Sequence, residues 1–260
     1  MAQEIHPNAV VHPDAKIGVD CKIGPFCTIA ASAVIGDRTT LQSHVVVDEN
    51  TSIGSDCKIF PFATIGTQSQ DLKWKPGNVT YTEIGNHTII REYVTIHSGT
   101  DDGTKTVVGD NCALLALSHV GHNCIVGNHV VLSHSATLGG HVIVDDHVNL
   151  GGLCAVHQFC RIGRNAMIAG MARLVQDVLP FTIAEGAPAK MKVVNTIGMD
   201  RQGFSKAEIS VAKNCYKILF MRDLKLEDAI KQIAEEFPNS EVAKTLLSFI
   251  AVSERNLARK

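Results

Sequence analysis

From Ile5 to Leu174 a branched aliphatic residue recurs at six-residue intervals, and this period constrains the fold more than any other property of the chain. The first run is Ile5, Val11, Ile17, Ile23, Ile29, Ile35, Leu41, Val47, Ile53, Ile59 and Ile65. The second begins at Ile84, Ile90 and Ile96 and continues at every sixth residue from Val108 to Leu174. Four places after each aliphatic stands Ala, Cys, Ser, Thr or Val, so a small residue precedes the next aliphatic by two. Residues two apart on a strand share a face. Each hexad therefore predicts a short strand with one large and one small side chain inward, then a turn, often with Gly after the aliphatic as at Gly18 and Gly24. Repeats of this length predict a parallel β-helix.

A hydrophobic content of 45% fills such a solenoid, whose coils pack only on their neighbours. Cys21, Cys27, Cys57, Cys112, Cys124, Cys154 and Cys160 all occupy the small inward position, which makes them core filler rather than disulfides or metal ligands. Cys215 falls on a predicted helix. No apolar stretch reaches the roughly 20 residues of a membrane span, and no basic segment followed by an apolar run opens the chain. The expectation is a cytosolic protein without an integral membrane segment. Residues 1–189 carry 11 Lys and Arg against 17 Asp and Glu, a net of −6; residues 190–260 carry 13 against 9, a net of +4. A basic end suits an acidic protein partner. It lacks the dense basic and aromatic surface that nucleic acid requires.

The hexads break twice. Ile65 and Ile84 are 19 apart, and the intervening segment carries the only tryptophan, Trp74, so an excursion near 66–83 is expected. A second, shorter loop near 98–107 separates Ile96 from Val108 and keeps the six-residue phase. Beyond Leu174 the strand pattern fades through Pro180, Gly186 and Pro188. Ser205 with Glu208 makes a capping box ahead of an apolar periodic stretch to about Phe220. Leu226–Phe237 and Glu241–Val252 follow, the last started by Ser240. Two domains are predicted, a β-helix over 1–189 and a three-helix unit over 190–260.

Three strands close a triangle in 18 residues, so residues 18 apart should stack at about the 4.8 Å strand spacing. This places the hexads of Ile84, Val120, Leu138 and Val156 on one side. His87 then sits low on a column that continues through His122, Gly140 and Gln158, with His119, His141 and His157 beside it. Both loops emerge next to that column. Neutral imidazole near pH 7 suits proton abstraction from a hydroxyl or amine. No nucleophile elbow, phosphate-binding loop or dinucleotide glycine pattern is present, which leaves covalent serine hydrolysis, phosphoryl transfer and hydride transfer without a motif. A metal centre like that of γ-class carbonic anhydrases would draw on His129 and His134, but these fall on sides other than that of His122. The third histidine such a centre needs is replaced by Tyr93.

The stretches Ser118-His119-Val120-Gly121-His122-Asn123-Cys124, Gly139-Gly140-His141-Val142 and Ala155-Val156-His157-Gln158-Phe159-Cys160 closely resemble the UDP-N-acetylglucosamine acyltransferase family of lipid A synthesis. So do the loop Ser69-Gln70-Asp71-Leu72-Lys73 and Asn195 with Arg201-Gln202-Gly203-Phe204-Ser205. The resemblance spans essentially the whole chain. It implies a left-handed parallel β-helix with a C-terminal α-helical domain. It also implies transfer of a β-hydroxyacyl chain from the phosphopantetheine of acyl carrier protein to the sugar 3-hydroxyl, with no other cofactor and no metal.

On these positions the resemblance makes His122 the general base and the Gly140 amide the oxyanion donor. Asp71, His119, His141, Gln158 and Asn195 become nucleotide-sugar contacts, with Gln70, Lys73 and His157 nearby and Arg201 a candidate contact to the carrier protein. It implies a homotrimer with sites between subunits and makes Gly170 the limit on acyl length. Gly170 and His122 share a turn position but are 48 residues apart, which puts them on different edges of one prism. Three positions depart from the family pattern: Asn123 where Asp is frequent, Gln202 where a second Arg is common, and Ile197 where an acid is common. Other readings are the related N-acyltransferase, which usually carries an additional N-terminal domain, and a scaffold β-helix without activity.

Overall fold

The computed structural model describes residues 4–258. Each hexad forms a strand of mostly two residues ending on its aliphatic, for example Lys22–Ile23, Thr28–Ile29 and Val34–Ile35. Successive strands go to three different sheets of 11, 9 and 8 strands, here sheets I, II and III. Pairing within each sheet is parallel in 18-residue register away from the loops, as in His119↔Thr137 and Thr137↔Ala155. The prism is a left-handed parallel β-helix. Its core is the stacked aliphatics and small residues of the hexads, and from Cys21 onward nearly all of them are buried. The cysteines are free and buried, and burial drives their thiols upward, Cys112 to about 11 and Cys124 to about 12.

The chain turns between strands at three corners. At most turns the third residue after the aliphatic adopts the left-handed conformation, with φ of 53–66° from Asn50 to Phe62 and Phe159. Histidine, Asn and Asp enter this region more readily than most side chains. His44, His87, His129, His141 and His147 all occupy it. Much of the histidine content is thus a requirement of the corner.

Both loops leave the prism at the corner between sheets II and III. The first runs from the strand Thr64–Thr67 to the strand Tyr81–Ile84, the second from Thr95–His97 to Lys105–Val108. At the first departure Gly66 has φ +80°, and a Cβ there would lie 1.8 Å from Thr51 Oγ1, so glycine is required. Residues Tyr81–Ile84 and Lys105–Val108 pair side by side in sheet III. The second loop therefore inserts six residues into one side of the triangle. A six-residue insertion preserves a six-residue period while shifting the 18-residue one, and this corrects the placement of His87. It lies at the corner between sheets III and I, hydrogen-bonded through its N–H to Ser55 O at 2.9 Å, and His97 takes the low position beneath His119.

The strand Thr182–Gly186 extends sheet I in parallel and pairs antiparallel with Ala189–Val194. The solenoid thus ends in a hairpin that the 189/190 division cuts. Four helices follow: α1 (Thr196–Arg201), α2 (Lys206–Met221), α3 (Leu226–Glu236) and α4 (Glu241–Ala251). Asn195 caps α1 by accepting from the Gly198 N–H, and Ser205 with Glu208 forms the reciprocal capping box of α2. Helices α2, α3 and α4 pack by their apolar faces around Ile218, Ile233 and Leu246. Among the described residues no helix is long and apolar enough to cross a membrane.

Candidate active site

The corner between sheets II and III stacks His122, Gly140 and Gln158 coil upon coil, through the pairings Val120↔Leu138 and Leu138↔Val156. The first loop walls this column into a cleft of about 320 Å³. Gln70 and Asp71 of the first loop, His97, His119, His122, Gly140 and Gln158 line it. Only glycine at 140 leaves His122 where it is. A Cβ would stand 2.3 Å from His122 Nε2, so the imidazole packs directly on the backbone above it.

His122 is largely buried and held on both ring nitrogens. Nδ1 lies 2.9 Å from Thr100 Oγ1 and 3.0 Å from Asn123 Oδ1. Nε2 faces Asp71 Oδ2 at 3.8 Å. His141 stands edge-on to it, with ring centroids 5.1 Å apart, and Phe159 stacks on His141. On the strand that leads into this turn, His119 shares a 2.7 Å hydrogen bond with Thr95 Oγ1 of the coil below, where His97 donates from Nδ1 to Gln68 O at 2.7 Å. Burial drives the His119 imidazole down to about 4, helped by the neighbouring His97 and His122. Burial also lowers His97 and His141, to which nearby His122 adds. These three rings are neutral at pH 7 and surround His122 without adding cationic charge.

The amide groups of this corner differ from those at the corner between sheets III and I. There an Asp or Asn side chain accepts the turn N–H one coil below: Val19 to Asp37, Asn86 to Asp110, Asp110 to Asn128, Asn128 to Asp146. Among the described residues the Gly140 N–H has no such acceptor, and Gln158 above it makes no side-chain bond. An uncapped N–H beside an imidazole can donate to an anion developing in the cleft.

Lys73 is not among the lining residues of this cleft but shares its loop, its N–H donating to Asp71 Oδ1 at 2.9 Å. His157 and Gln158 form the top of the column. Arg255 Nη2, from the end of the chain, donates to Gln158 O at 3.1 Å and also contacts His157 Nδ1. Asn195 and Arg201 are not brought to His122 within one chain. They line a second cleft of about 590 Å³ on the sheet I side, with His129, His147, Asn165 and Met167. Gly170 stands at the corner between sheets I and II, where an added Cβ meets only Gly152 at 3.3 Å. Sequence reasoning missed four residues of the site: His97, Ser69, Thr100 and Arg255. Ser69 and Thr100 are the inward small residues at the two loop departures, a signal that distance along the chain does carry.

A family model described as Udp N-acetylglucosamine O-acyltransferase, domain 2, matches residues 177–258, and the bacterial transferase hexapeptide model matches 15–49 and 105–140. The acyl-[acyl-carrier-protein]--UDP-N-acetylglucosamine O-acyltransferase of Bartonella henselae is 40% identical over 248 residues, 95% of this chain and 90% of that protein. The crystal structure of the Francisella novicida UDP-N-acetylglucosamine acyltransferase superposes with a TM-score of 0.96 at 38% identity, covering 98% of this chain and 94% of that one. LpxA from Acinetobacter baumannii gives 0.94 at 40% identity, covering 98% and 99%. By sequence over its whole length and by architecture, the chain belongs to the UDP-N-acetylglucosamine O-acyltransferase family.

Proposed function

We propose that this protein transfers a β-hydroxyacyl chain from acyl carrier protein to the 3-hydroxyl of UDP-N-acetylglucosamine, the first step of lipid A biosynthesis. The observation that carries the reading is the imidazole of His122 packed under the uncapped amide of Gly140 in one walled cleft. His122 Nε2 removes the proton of the sugar hydroxyl as its oxygen attacks the thioester carbonyl carbon. The negative charge moves to the carbonyl oxygen, where the Gly140 N–H donates to it; such donors are worth about 3 kcal/mol. Collapse breaks the carbon–sulfur bond, and the departing phosphopantetheine thiolate takes the proton from the imidazolium. The acyl group arrives already activated, so this chemistry needs no resident cofactor or metal.

Asp71, His119, His141 and Gln158 bind the sugar nucleotide around this centre, with Gln70, Lys73 and His157 at its edge. Asn195, Arg201 and Gly170 complete the site from a neighbouring copy in a homotrimer. An exposed ridge supports packing between copies: Phe26, Phe62, Tyr93, Leu117, Leu153 and Met171 are each more than two-fifths exposed along the corner between sheets I and II. A largely apolar ridge of this length, broken only by His44 and Ser135 among these turn positions, is uncommon on a monomer. The basic helical region, at net +4, suits the acidic carrier protein, and the enzyme works in the cytoplasm.

Purified protein given hydroxyacyl carrier protein and UDP-N-acetylglucosamine should release free carrier thiol and form the 3-O-acyl product. Formation of product only from a 3-amino sugar nucleotide would replace the acceptor oxygen by nitrogen. No transfer to either would sink the reading. Sedimentation equilibrium should give three chains per particle, and a stable active monomer would contradict the shared site.

A further inference from the structure

We propose that the buried hydroxyls of Ser69 and Thr100 form, with Asn123, a positioning relay that holds the His122 proton on Nδ1 and ties that state to docking of the first loop. The proposal rests on the reading of His122 as the general base. Ser69 is 4% and Thr100 2% exposed. They stand four places after Ile65 and Ile96, the inward position where each loop leaves the prism.

The direction of each bond follows from what each atom can donate. The Thr100 N–H donates to Asn123 Oδ1 at 3.1 Å, which fixes the side-chain oxygen toward His122. A carbonyl oxygen only accepts, so the 3.0 Å approach of His122 Nδ1 to Oδ1 requires the proton on Nδ1. Nε2 is then left with its lone pair toward the cleft, as a base needs. Thr100 Oγ1, 2.9 Å from Nδ1, accepts there as well, which leaves its own O–H to donate to Ser69 Oγ at 2.6 Å. Ser69 Oγ accepts the Asp71 N–H at 3.1 Å, which sets the Asp71 carboxylate 3.8 Å from Nε2, beyond hydrogen-bond reach. The first loop supplies both Ser69 and Asp71, so undocking it removes the carboxylate from beside Nε2 and the acceptor that orients the Thr100 hydroxyl, while Thr100 and Asn123 stay beside Nδ1.

The other titratable groups around His122 are His141 above it, His119 on the strand leading into its turn, His97 from the coil below, and Asp101 and Lys73 from the two loops. None of them contacts Nδ1. Asn123 brings no charge to that nitrogen, so the relay sets the proton's location without favouring the imidazolium.

Nitrogen NMR of histidine-labelled holoprotein, with His122 assigned by its loss in His122→Gln, should show Nδ1 protonated and Nε2 bare at neutral pH. Thr100→Val and Ser69→Ala should mix the two tautomers and lower kcat by about 10-fold, with KM for UDP-N-acetylglucosamine within about 2-fold; Thr100→Ser should restore both readouts. Asn123→Leu should lower kcat by about 100-fold. Asn123→Asp retains both accepted bonds and should keep the tautomer, while its carboxylate moves the acidic limb of the kcat/KM profile to higher pH. A wild-type spectrum with the proton on Nε2 overturns the relay, as does an unchanged tautomer and kcat in Thr100→Val. If Thr100→Val does not fold, the wild-type spectrum and Ser69→Ala decide. Full activity in His122→Ala would refute the general base itself while the spectrum still judges the relay.

Discussion

Two corners of the same prism use the same turn in opposite ways. At the corner between sheets III and I, Asp37, Asp110, Asn128 and Asp146 each accept the turn amide one coil below, and histidines such as His87 serve as left-handed turn residues. His129 and His147 stack there, 4.6 Å apart and nearly parallel, at the edge of the cleft that holds Asn195 and Arg201. At the corner between sheets II and III the equivalent second turn position holds His122, Gly140 and Gln158, the Gly140 amide is uncapped, and the first loop walls the column. A turn becomes a site when its polar groups are left for a ligand and its neighbours exclude water. Residue type alone does not separate the two corners.

The largest test of this contrast exchanges one histidine at each corner. His122→Ala should lower turnover by roughly 100-fold or more, the lower range for a general base, while His87→Ala stays within a few fold of wild type. Comparable losses in both would erase the distinction. Gly140→Ala should cost about 100-fold in kcat, because its methyl displaces His122 and blocks the donor. Equal kcat would mean the imidazole can move without consequence.

Gly170, at the same turn position of the third corner, has the Gly152 backbone and no imidazole against it, an added Cβ meeting Gly152 O at 3.3 Å. Gly170→Met should therefore leave chemistry intact and shorten the preferred acyl chain. At about 0.8 kcal/mol per buried methylene, losing several carbons of contact costs a long donor roughly 2 to 3 kcal/mol, or about 30- to 150-fold in relative use. Competition between decanoyl- and myristoyl-length hydroxyacyl donors reads this directly, and an unchanged ratio would remove Gly170 from the groove.

The smallest effect is on stability. His119 is buried neutral, with its imidazole pushed down to about 4, so the unfolded chain binds its proton more readily than the folded one. The stability this difference contributes is present above the ordinary histidine value of about 6.5 and is lost as pH falls toward 4; it amounts to no more than about 3 kcal/mol. Chemical denaturation at pH 7 and near pH 4.5 should show the loss, and His119→Gln should flatten it. A variant with the same pH dependence would place the sensitivity elsewhere, with His97 and His141 next in line.

The strands, the cysteine core, the capping box at Ser205 and the stacking of His122, Gly140 and Gln158 were all legible in the sequence, because each depends on local spacing. His87 was misplaced because an insertion equal to one hexad is invisible to a six-residue period. Ser69 and Thr100 obeyed the small-inward rule so well that nothing marked their hydroxyls as more than filler. Asn195 and Arg201 match the family's motif, yet no spacing argument reveals that they line a different cleft of the same chain. Arg255 reaches Gln158 across 97 residues, beyond the reach of any periodicity.

That last contact belongs to a larger clasp. Asp177, fully buried, accepts from the Arg161 N–H at 2.7 Å and from Ser253 Oγ at 2.6 Å, and it exchanges backbone hydrogen bonds with Asn256 and Ala258. During synthesis, lower coils can wind onto one another as they emerge, since each needs only its predecessor. The uppermost coil is different, for its carboxylate closes on Ser253, 76 residues further along the chain. A solenoid that otherwise winds by neighbours alone is latched at this one end by a long-range contact, so the helical region must be in place before the top coil is closed.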